Sequence, residues 1–197
     1  MILLTVLPLD GGELLSRIER NMGNIKTVQC EFRQEKHLNK FPFPLKITGI
    51  MCADQQHGRF AWRVKTPMIS NAVIADGMIT QYDGDSGKVV KIATDSNPAL
   101  KILTDTLRIL FAGDIKNMLK DMEAEQESNP LVLKPVKNAL FSKFLQHISI
   151  RFSSDLCRIE EIVMTEKSGD RTVIHFFNAS INTPIKDSLW QAVPRGE

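Results

Sequence analysis

The stretch FAWRVKTP, at residues 60–67, has the alternation of a half-buried β-strand. Its bulky apolar side chains, Phe60, Trp62 and Val64, fall on one side, and mainly basic side chains fall on the other. Successive side chains of a strand point to opposite faces, so the apolar side needs a covering layer. The stretch therefore predicts a sheet with one apolar face.

Further strand patterns lie on both sides of this stretch. Upstream, the chain alternates with a period of two, with Val28, Cys30 and Phe32 on one face. The sequence FPFPL at residues 41–45 then marks a bend or an edge, because proline does not serve a central strand. Other strands are predicted at residues 46–53, 59–65, 70–74, 79–82, 89–93, 131–134, 144–152, 158–165 and 171–178. The connections between the strands from residue 46 to residue 93 are short and rich in Gly, Asp and Pro, which favours sequential antiparallel hairpins.

An amphipathic helix is predicted ahead of these strands. Asp10 followed by Glu13 has the spacing of a helix-start box. The apolar side chains that then recur at helical spacing are Leu14, Leu15, Ile18 and Met22. The helix is expected to end near Gly23 and Asn24.

Two more helices are predicted in the middle of the chain. Asn97 and Pro98 have the chemistry of a helix start, and Gly113 supplies a stop. The apolar stripe of the first of these helices consists of Leu100, Leu103, Leu107, Leu110 and Phe111. The second helix starts at Asp114. Its apolar residues are Ile115, Met118, Leu119 and Met122. Residues 123–130, EAEQESNP, are predicted to be a polar linker.

The order of these elements predicts an α+β fold. A sheet of roughly nine or ten strands is expected to curl rather than stay flat. The helices carry apolar side chains on one side only, so they must cover an apolar surface. We therefore expect a curled antiparallel sheet that forms an unclosed β-barrel, with helices covering its concave apolar face.

Length and composition limit the classes of protein that the chain can belong to. The 197 residues are expected to form a single domain, with residues 1–9 as a signal-peptide remnant or an N-terminal arm. The chain is 43% hydrophobic and 24% charged, which is ordinary for a globular protein. A net charge of +2 with dispersed basic residues argues against a nucleic-acid partner.

The string Gly84-Asp85-Ser86-Gly87 also surrounds the nucleophile of many serine proteases, but here it has the chemistry of a hairpin turn. A serine nucleophile needs a neighbouring base, and the four histidines lie in separate strand-like segments. The three cysteines, Cys30, Cys52 and Cys157, have no metal-ligand spacing. We therefore predict a protein that is not an enzyme and has no cofactor and no metal.

The order of several short motifs resembles the LolA family of periplasmic lipoprotein carriers. The matching residues are Phe32-Arg33-Gln34, Gly49, Phe60-Ala61-Trp62, Pro67 and Asp76-Gly77. The resemblance implies an unclosed barrel with a helical lid, whose apolar interior receives the acyl chains of a lipid-modified cargo. It also implies a periplasmic monomer with an inner-membrane donor complex and an outer-membrane acceptor.

The resemblance also suggests which residues line the acyl cavity and its lid. The candidates are Ile18, Met22, Phe32, Phe60, Trp62, Leu103, Leu107, Leu110 and Met118. LolA fastens its closed lid with an arginine from a K-R-P stretch, which this sequence lacks. The candidate latch residues here are Gln55, Gln56 and Arg59. A glutamine latch without charge assistance is expected to be weaker than an arginine latch.

Two rival functions stay open at this point. One is a regulatory protein of similar fold that senses a lipid or lipoprotein and signals to a protein partner. The other is an esterase or lipase that uses Ser86 as its nucleophile.

Overall fold

The computed structural model describes residues 11–94, 111, 117, 119–137 and 139–193. It contains helix α1 (Gly11–Met22) and eleven strands. The strands are β1 (Thr27–His37), β2 (Leu45–Asp54), β3 (Arg59–Thr66), β4 (Ser70–Ala75), β5 (Met78–Asp83), β6 (Val89–Ala93), β7 (Met122–Glu127), β8 (Leu131–Pro135), β9 (Leu145–Phe152), β10 (Ile159–Glu166) and β11 (Arg171–Ile181). Short 3-10 helices occupy Leu140–Lys143 and Asp187–Trp190.

All eleven strands form one antiparallel sheet. Their order is β6-β5-β4-β3-β2-β1-β11-β10-β9-β8-β7, so the first and last strands of the chain pair at its centre. That pairing extends from Val28 opposite Ile181 to His37 opposite Arg171. Within the described residues, β6 and β7 are the two edges, and the sheet is unclosed.

Helix α1 packs on one face of this sheet, here called the inner face. Leu14, Ile18 and Met22 are buried and share one apolar core with side chains from strands on both sides of β1. Burying each of these side chains contributes about 1.5–3 kcal/mol, so the helix is held mainly by its apolar stripe. The predicted helix is confirmed, and the capping residue Asp10 lies outside the described residues.

The opposite, outer face is partly covered by the C-terminal strap, defined as residues 185–193. Ala192 and its neighbours pack on Cys52, Ala61 and Val73. Two polar side chains fix the strap. The Arg63 Nη1 donates to Gln191 O at 2.6 Å, and the buried Asn71 Nδ2 donates to Ala192 O at 2.8 Å. The basic side of β3 therefore binds main-chain carbonyls as well as facing solvent.

The strand pattern predicted most of the sheet, with one clear error. Residues 123–130 were predicted to be a polar linker, whereas Met122–Glu127 form strand β7. Met122 was also assigned to a helix, but it is buried in β7, with Ala124 packed against the same core. Glu123 faces outward and lies 3.1 Å from Lys134 Nζ on β8. The many outward acidic residues concealed the alternation, and the sheet has eleven strands instead of nine or ten.

The two helices predicted in the middle of the chain fall largely outside the described residues. Phe111 and Asn117 are the described residues there that have helical conformation, and Leu119 lies in a turn.

Candidate functional site

Five aromatic side chains meet on the inner face and are called the aromatic cluster. They are Phe32, Phe60, Trp62, Phe111 and Phe176. Trp62 stacks on Phe32 with ring centroids 3.9 Å apart. Phe111 is buried between Phe60, at 5.8 Å, and Phe176, at 5.7 Å. The cluster therefore joins β1, β3 and β11 with a residue from the segment that connects the two edge strands.

The glycine of β2 gives the aromatic cluster its room. Gly49 lies opposite Phe32 in the β1–β2 register. A Cβ on Gly49 would lie 2.7 Å from the Phe32 ring and 2.0 Å from the carbonyl oxygen of Arg63. A glycine is therefore required here by the close approach of the neighbouring strand and ring, without any unusual φ angle.

The described side chains around the aromatic cluster share one buried core. Ile18 and Met22 of α1 are buried in the same core as Phe32 and Phe60, and Trp62 packs against it. A void lined by residues including Met22, Cys30 and Phe111 has a volume of about 20 Å³. That volume suits one water molecule.

One side-chain hydrogen bond connects the β2–β3 turn to Phe111. Gln55 Nε2 donates to the carbonyl oxygen of Phe111 at 2.7 Å. The second predicted latch residue, Gln56, is exposed. The third, Arg59, binds Asp54 Oδ2 through Nη2 at 2.6 Å, and its guanidinium lies 4.5 Å from the centre of the Trp190 ring. Of the three predicted latch residues, Gln55 is therefore the one that the described structure shows bonded to Phe111.

Asp54 organises this turn from a buried position. Its carboxylate accepts hydrogen bonds from the main chain of His57, at 3.1 Å, and from Arg59. The His57 ring nitrogen Nδ1 lies 2.8 Å from the same carboxylate. Burial works to raise the pKa of Asp54, but the hydrogen bonds from Arg59 and His57 outweigh it and hold that pKa below its usual value. The ionised carboxylate therefore fixes the turn that positions Gln55.

The structure brings five of the predicted cavity residues together, namely Ile18, Met22, Phe32, Phe60 and Trp62. The other four, Leu103, Leu107, Leu110 and Met118, lie outside the described residues. Phe176 joins the same cluster although the sequence reasoning had not selected it. Its sequence signal was weak, because the neighbouring apolar residues Val173 and Phe177 interrupt the alternation along β11.

Ser86 lies in a hairpin turn, as its neighbouring residues predicted. Its main-chain N–H and its hydroxyl both donate to Asp83 Oδ1 at 2.8 Å. These bonds lower the pKa of Asp83, the main-chain bond from Ser86 having the largest effect. The serine is held by a turn aspartate in an exposed loop, an arrangement typical of turn chemistry. Among the described residues, no group of three or more His, Cys, Asp or Glu is placed to hold a metal ion.

A larger cavity of about 610 Å³ lies on the outer face and is open to solvent. It lies between strands β4 to β6 and the C-terminal strap, and its walls include Met78, Lys91 and Trp190. The sheet separates it from the aromatic cluster, so the two are different sites.

Comparisons with known proteins identify the fold and the family. A conserved protein from Thermus thermophilus has a TM-score of 0.57 at 13% identity, covering 93% of this chain and 94% of that chain. A chain of the Pseudomonas aeruginosa MucA/MucB complex has a TM-score of 0.54 at 13% identity, covering 94% of this chain and 62% of that chain. The LolA superfamily protein NE2245 from Nitrosomonas europaea has a TM-score of 0.48 at 9% identity, covering 93% and 98%.

Sequence comparison with curated proteins gave no significant match. Among the described residues, no helix combines the length and the apolar character needed to cross a membrane. Residues 23–193 match the family described as outer membrane lipoprotein carrier protein LolA. Since that match spans most of the sequence and includes β1 to β11, the chain belongs to the LolA family.

Proposed function

We propose that this chain is a periplasmic, non-enzymatic carrier that encloses acyl chains of a lipoprotein or lipid against the inner face. The observation that carries the proposal is the aromatic cluster, in which Phe111 packs on Phe60 and Phe176 while its main-chain carbonyl accepts a neutral hydrogen bond from Gln55. In this proposal a single domain shuttles its cargo, as a monomer, from an inner-membrane donor complex to an outer-membrane acceptor. The family membership supports it.

The free energy of acyl-chain burial is large enough to replace the hydrogen bond that closes the inner face. A neutral hydrogen bond contributes about 0.5–1.5 kcal/mol net, whereas a bond to a charged group contributes about 1.5–3 kcal/mol. Burial of eight methylene groups contributes about 6 kcal/mol, at roughly 0.8 kcal/mol for each. The gain from an acyl chain therefore exceeds the loss of the Gln55 bond and offsets part of the repacking around Phe111.

The residues outside the described part are placed in this proposal by their sequence pattern. Leu103, Leu107, Leu110 and Met118 are proposed lid contacts, because they belong to apolar helical stripes on either side of Phe111. Ile18 and Met22 are the proposed contacts from α1. Methionine at such positions can adapt its shape to different acyl chains.

Binding of a fluorescent acyl probe tests the proposal. Trp62→Glu introduces a charge into the aromatic cluster, and we expect it to abolish probe binding while circular dichroism keeps the β-sheet spectrum. Trp190→Glu is the matched control, since Trp190 belongs to the strap on the outer face. Native mass spectrometry of protein purified without detergent is expected to show a bound lipid. Probe binding by the Trp62 variant at the level of the original protein refutes the proposal.

A sensor of lipid or lipoprotein is the second candidate. One of the structures that share this fold contains a complex of two proteins, MucA and MucB. A lipid-transfer assay separates the two candidates: a carrier moves labelled lipoprotein from donor to acceptor vesicles, whereas a sensor binds it and forms a stable complex with a signalling protein. Transfer without such a complex supports the carrier.

A further inference from the structure

Two neighbouring hairpin loops expose large apolar side chains at one end of the sheet. The β1–β2 loop carries Phe41, which is 65% exposed, and Phe43, which is 81% exposed. Leu45 follows at the start of β2, and the β3–β4 loop adds Met68 and Ile69, both more than a third exposed. These five residues are called the apolar rim. A cluster of exposed large apolar residues indicates an interaction surface.

The register of the sheet places these loops at the same end of two neighbouring hairpins. The β1–β2 hairpin closes with Lys36 opposite Leu45, and the β3–β4 hairpin closes with Val64 opposite Ser70. β2 and β3 are themselves paired, and the Thr48 and Thr66 hydroxyl oxygens lie 2.7 Å apart just below the loops. Both loops therefore project from the same end of the sheet, opposite the end that carries Gln55.

The β1–β2 loop is held in shape while its phenylalanines face solvent. The Asn39 main-chain N–H donates to Asp170 Oδ1 at 2.8 Å, and the Asn39 side-chain amide donates to Ser168 O. Within the loop, Phe41 N–H donates to Leu38 O at 2.9 Å. These hydrogen bonds thus hold the loop in a conformation in which Phe41 and Phe43 are exposed.

The backbone chemistry of the two loops favours contact with lipid. Prolines occupy positions 42, 44 and 67, so these residues have no N–H to desolvate. In the tip Phe-Pro-Phe-Pro, Phe41 already has its hydrogen bond, which leaves Phe43 as the single further donor. Transfer of this tip into a lipid interface therefore desolvates few N–H donors.

The two segments that carry the apolar rim are basic, although neighbouring elements bring acidic residues close to them: Asp170 accepts a hydrogen bond from Asn39, and Gly84, between Asp83 and Asp85, donates its N–H to Ile69 O. Residues 36–46 and 65–69 contain Lys36, Lys40, Lys46 and Lys65, and neither segment contains Asp or Glu. Lys40, Lys46 and Lys65 are exposed. Lys46 lies 4.0 Å from Glu35 on the adjoining strand, a distance that leaves its contact weak. Lysines beside exposed apolar side chains are typical of segments that lie in the interface of an anionic bilayer.

We propose that the apolar rim docks on membranes that contain anionic lipids, with Phe41 and Phe43 inserted at the boundary between headgroups and acyl chains. This docking is independent of acyl binding in the interior. The rim and the aromatic cluster occupy different parts of the fold, so variants of one leave the other intact.

Flotation with vesicles tests the proposal. The protein is mixed with vesicles of phosphatidylcholine alone or of phosphatidylcholine with about a third phosphatidylglycerol, and the bound fraction is measured at low and high salt. We expect binding to the anionic vesicles that weakens with salt. The double substitution Phe41→Ser with Phe43→Ser is expected to reduce the partition coefficient roughly tenfold or more. The double substitution Lys40→Glu with Lys46→Glu is expected to remove the preference for anionic lipid.

Matched controls separate docking from other effects. Phe177→Ser removes a partly exposed phenylalanine from β11, away from the rim, and should leave vesicle binding unchanged. Trp62→Glu should also keep vesicle binding, even where it abolishes acyl-probe binding. The proposal is overturned if the original protein does not float with anionic vesicles, which leaves a protein partner for the rim, or if the double serine variant floats equally well.

A direct depth measurement completes the test. Phe43→Trp is expected to retain vesicle binding, because tryptophan suits the membrane interface. Brominated acyl chains should quench the added fluorescence, measured against the original protein with its two native tryptophans. Binding without additional quenching contradicts insertion at Phe43.

Discussion

The side-chain amide of Gln55 donates a 2.7 Å hydrogen bond to the main-chain carbonyl of Phe111. The ring of the same Phe111 lies within 6 Å of both Phe60 and Phe176. Among the described residues, this neutral hydrogen bond and these ring contacts connect Phe111 to the inner face. The bond belongs to the turn between β2 and β3, which the buried Asp54 fixes by accepting hydrogen bonds from His57 and Arg59.

Removing the Gln55 amide should loosen closure without altering the fold. Gln55→Ala is expected to lower the free energy of unfolding by about 0.5–1.5 kcal/mol, the net contribution of one neutral hydrogen bond. Opening becomes easier by the same energy, so association of an acyl probe should accelerate by up to roughly tenfold. Stopped-flow fluorescence measures the rate. Gln56→Ala is the control, since Gln56 is exposed in the same turn, and equal rates in both variants contradict a latch at Gln55.

A methyl group at Gly49 should be strongly destabilising. The added Cβ meets a main-chain oxygen at 2.0 Å, which cannot rotate away as a flexible side chain can. We expect Gly49→Ala to lower the free energy of unfolding in urea by about 3 kcal/mol, the upper end of the usual range for overpacking.

Gly12→Ala provides the opposite result from the same chemical change. Nothing lies within 4 Å of a Cβ at Gly12 in α1, and alanine in a helix is favoured over glycine by about 0.5–1 kcal/mol. Helix α1 should therefore become slightly more stable. If Gly49→Ala matches Gly12→Ala in urea, the close approach of Phe32 and Arg63 does not constrain the position.

Alternation along the chain was enough to predict most strands, because a strand with one buried face displays its orientation in every second residue. Phe60 and Trp62 were assigned to the inner face in this way, and both lie there. Strand β7 was missed because its many exposed acidic residues conceal the alternation with Ala124. Hydrogen bonding to β8 stabilises this strand although its composition does not favour one.

Contacts between distant parts of the chain had no local signal. Arg63 binds Gln191, 128 residues away, so the sequence around either residue contains no pattern that predicts the C-terminal strap. Phe176 reaches Trp62 because the first and last strands pair, and that pairing is a property of the whole sheet. Gln55 was one of three candidate latch residues named from the family resemblance, while its hydrogen bond to Phe111 required three-dimensional packing.

Acid should weaken the protein through Asp54. Its pKa is lowered in the folded state, since hydrogen bonds from Arg59 and His57 outweigh the opposing effect of burial. The unfolded chain, with an aspartate pKa of roughly 3.9, binds the proton first as the pH falls. The stabilisation from Asp54 is therefore complete above about pH 5 and is lost as the pH falls towards the lower folded pKa. Urea unfolding at a series of pH values between neutral and acid measures it.

Asp54→Asn should flatten part of this acid dependence and lower stability at neutral pH by about 1–3 kcal/mol, because Arg59 loses a charged partner. Asp85→Asn, in the exposed β5–β6 turn, is the matched control and should leave the profile unchanged. Parallel acid profiles for the original protein and the Asp54 variant count against this role.

Two buried thiols on opposite faces of the sheet should report whether the inner face opens. Burial raises the pKa of Cys30 to about 12 and that of Cys52 to about 11. The thiolate is the reactive form, so both should react slowly with a thiol reagent near pH 8. Cys30 belongs to the core that contains Phe111, whereas Cys52 lies against the strap on the outer face.

In a Cys157→Ser background, Gln55→Ala should accelerate labelling of Cys30 several-fold, because its opening equilibrium shifts by about 1 kcal/mol. Cys52 should keep its rate, and mass spectrometry of labelled peptides distinguishes the two. Faster labelling of both thiols indicates general unfolding rather than opening of the inner face.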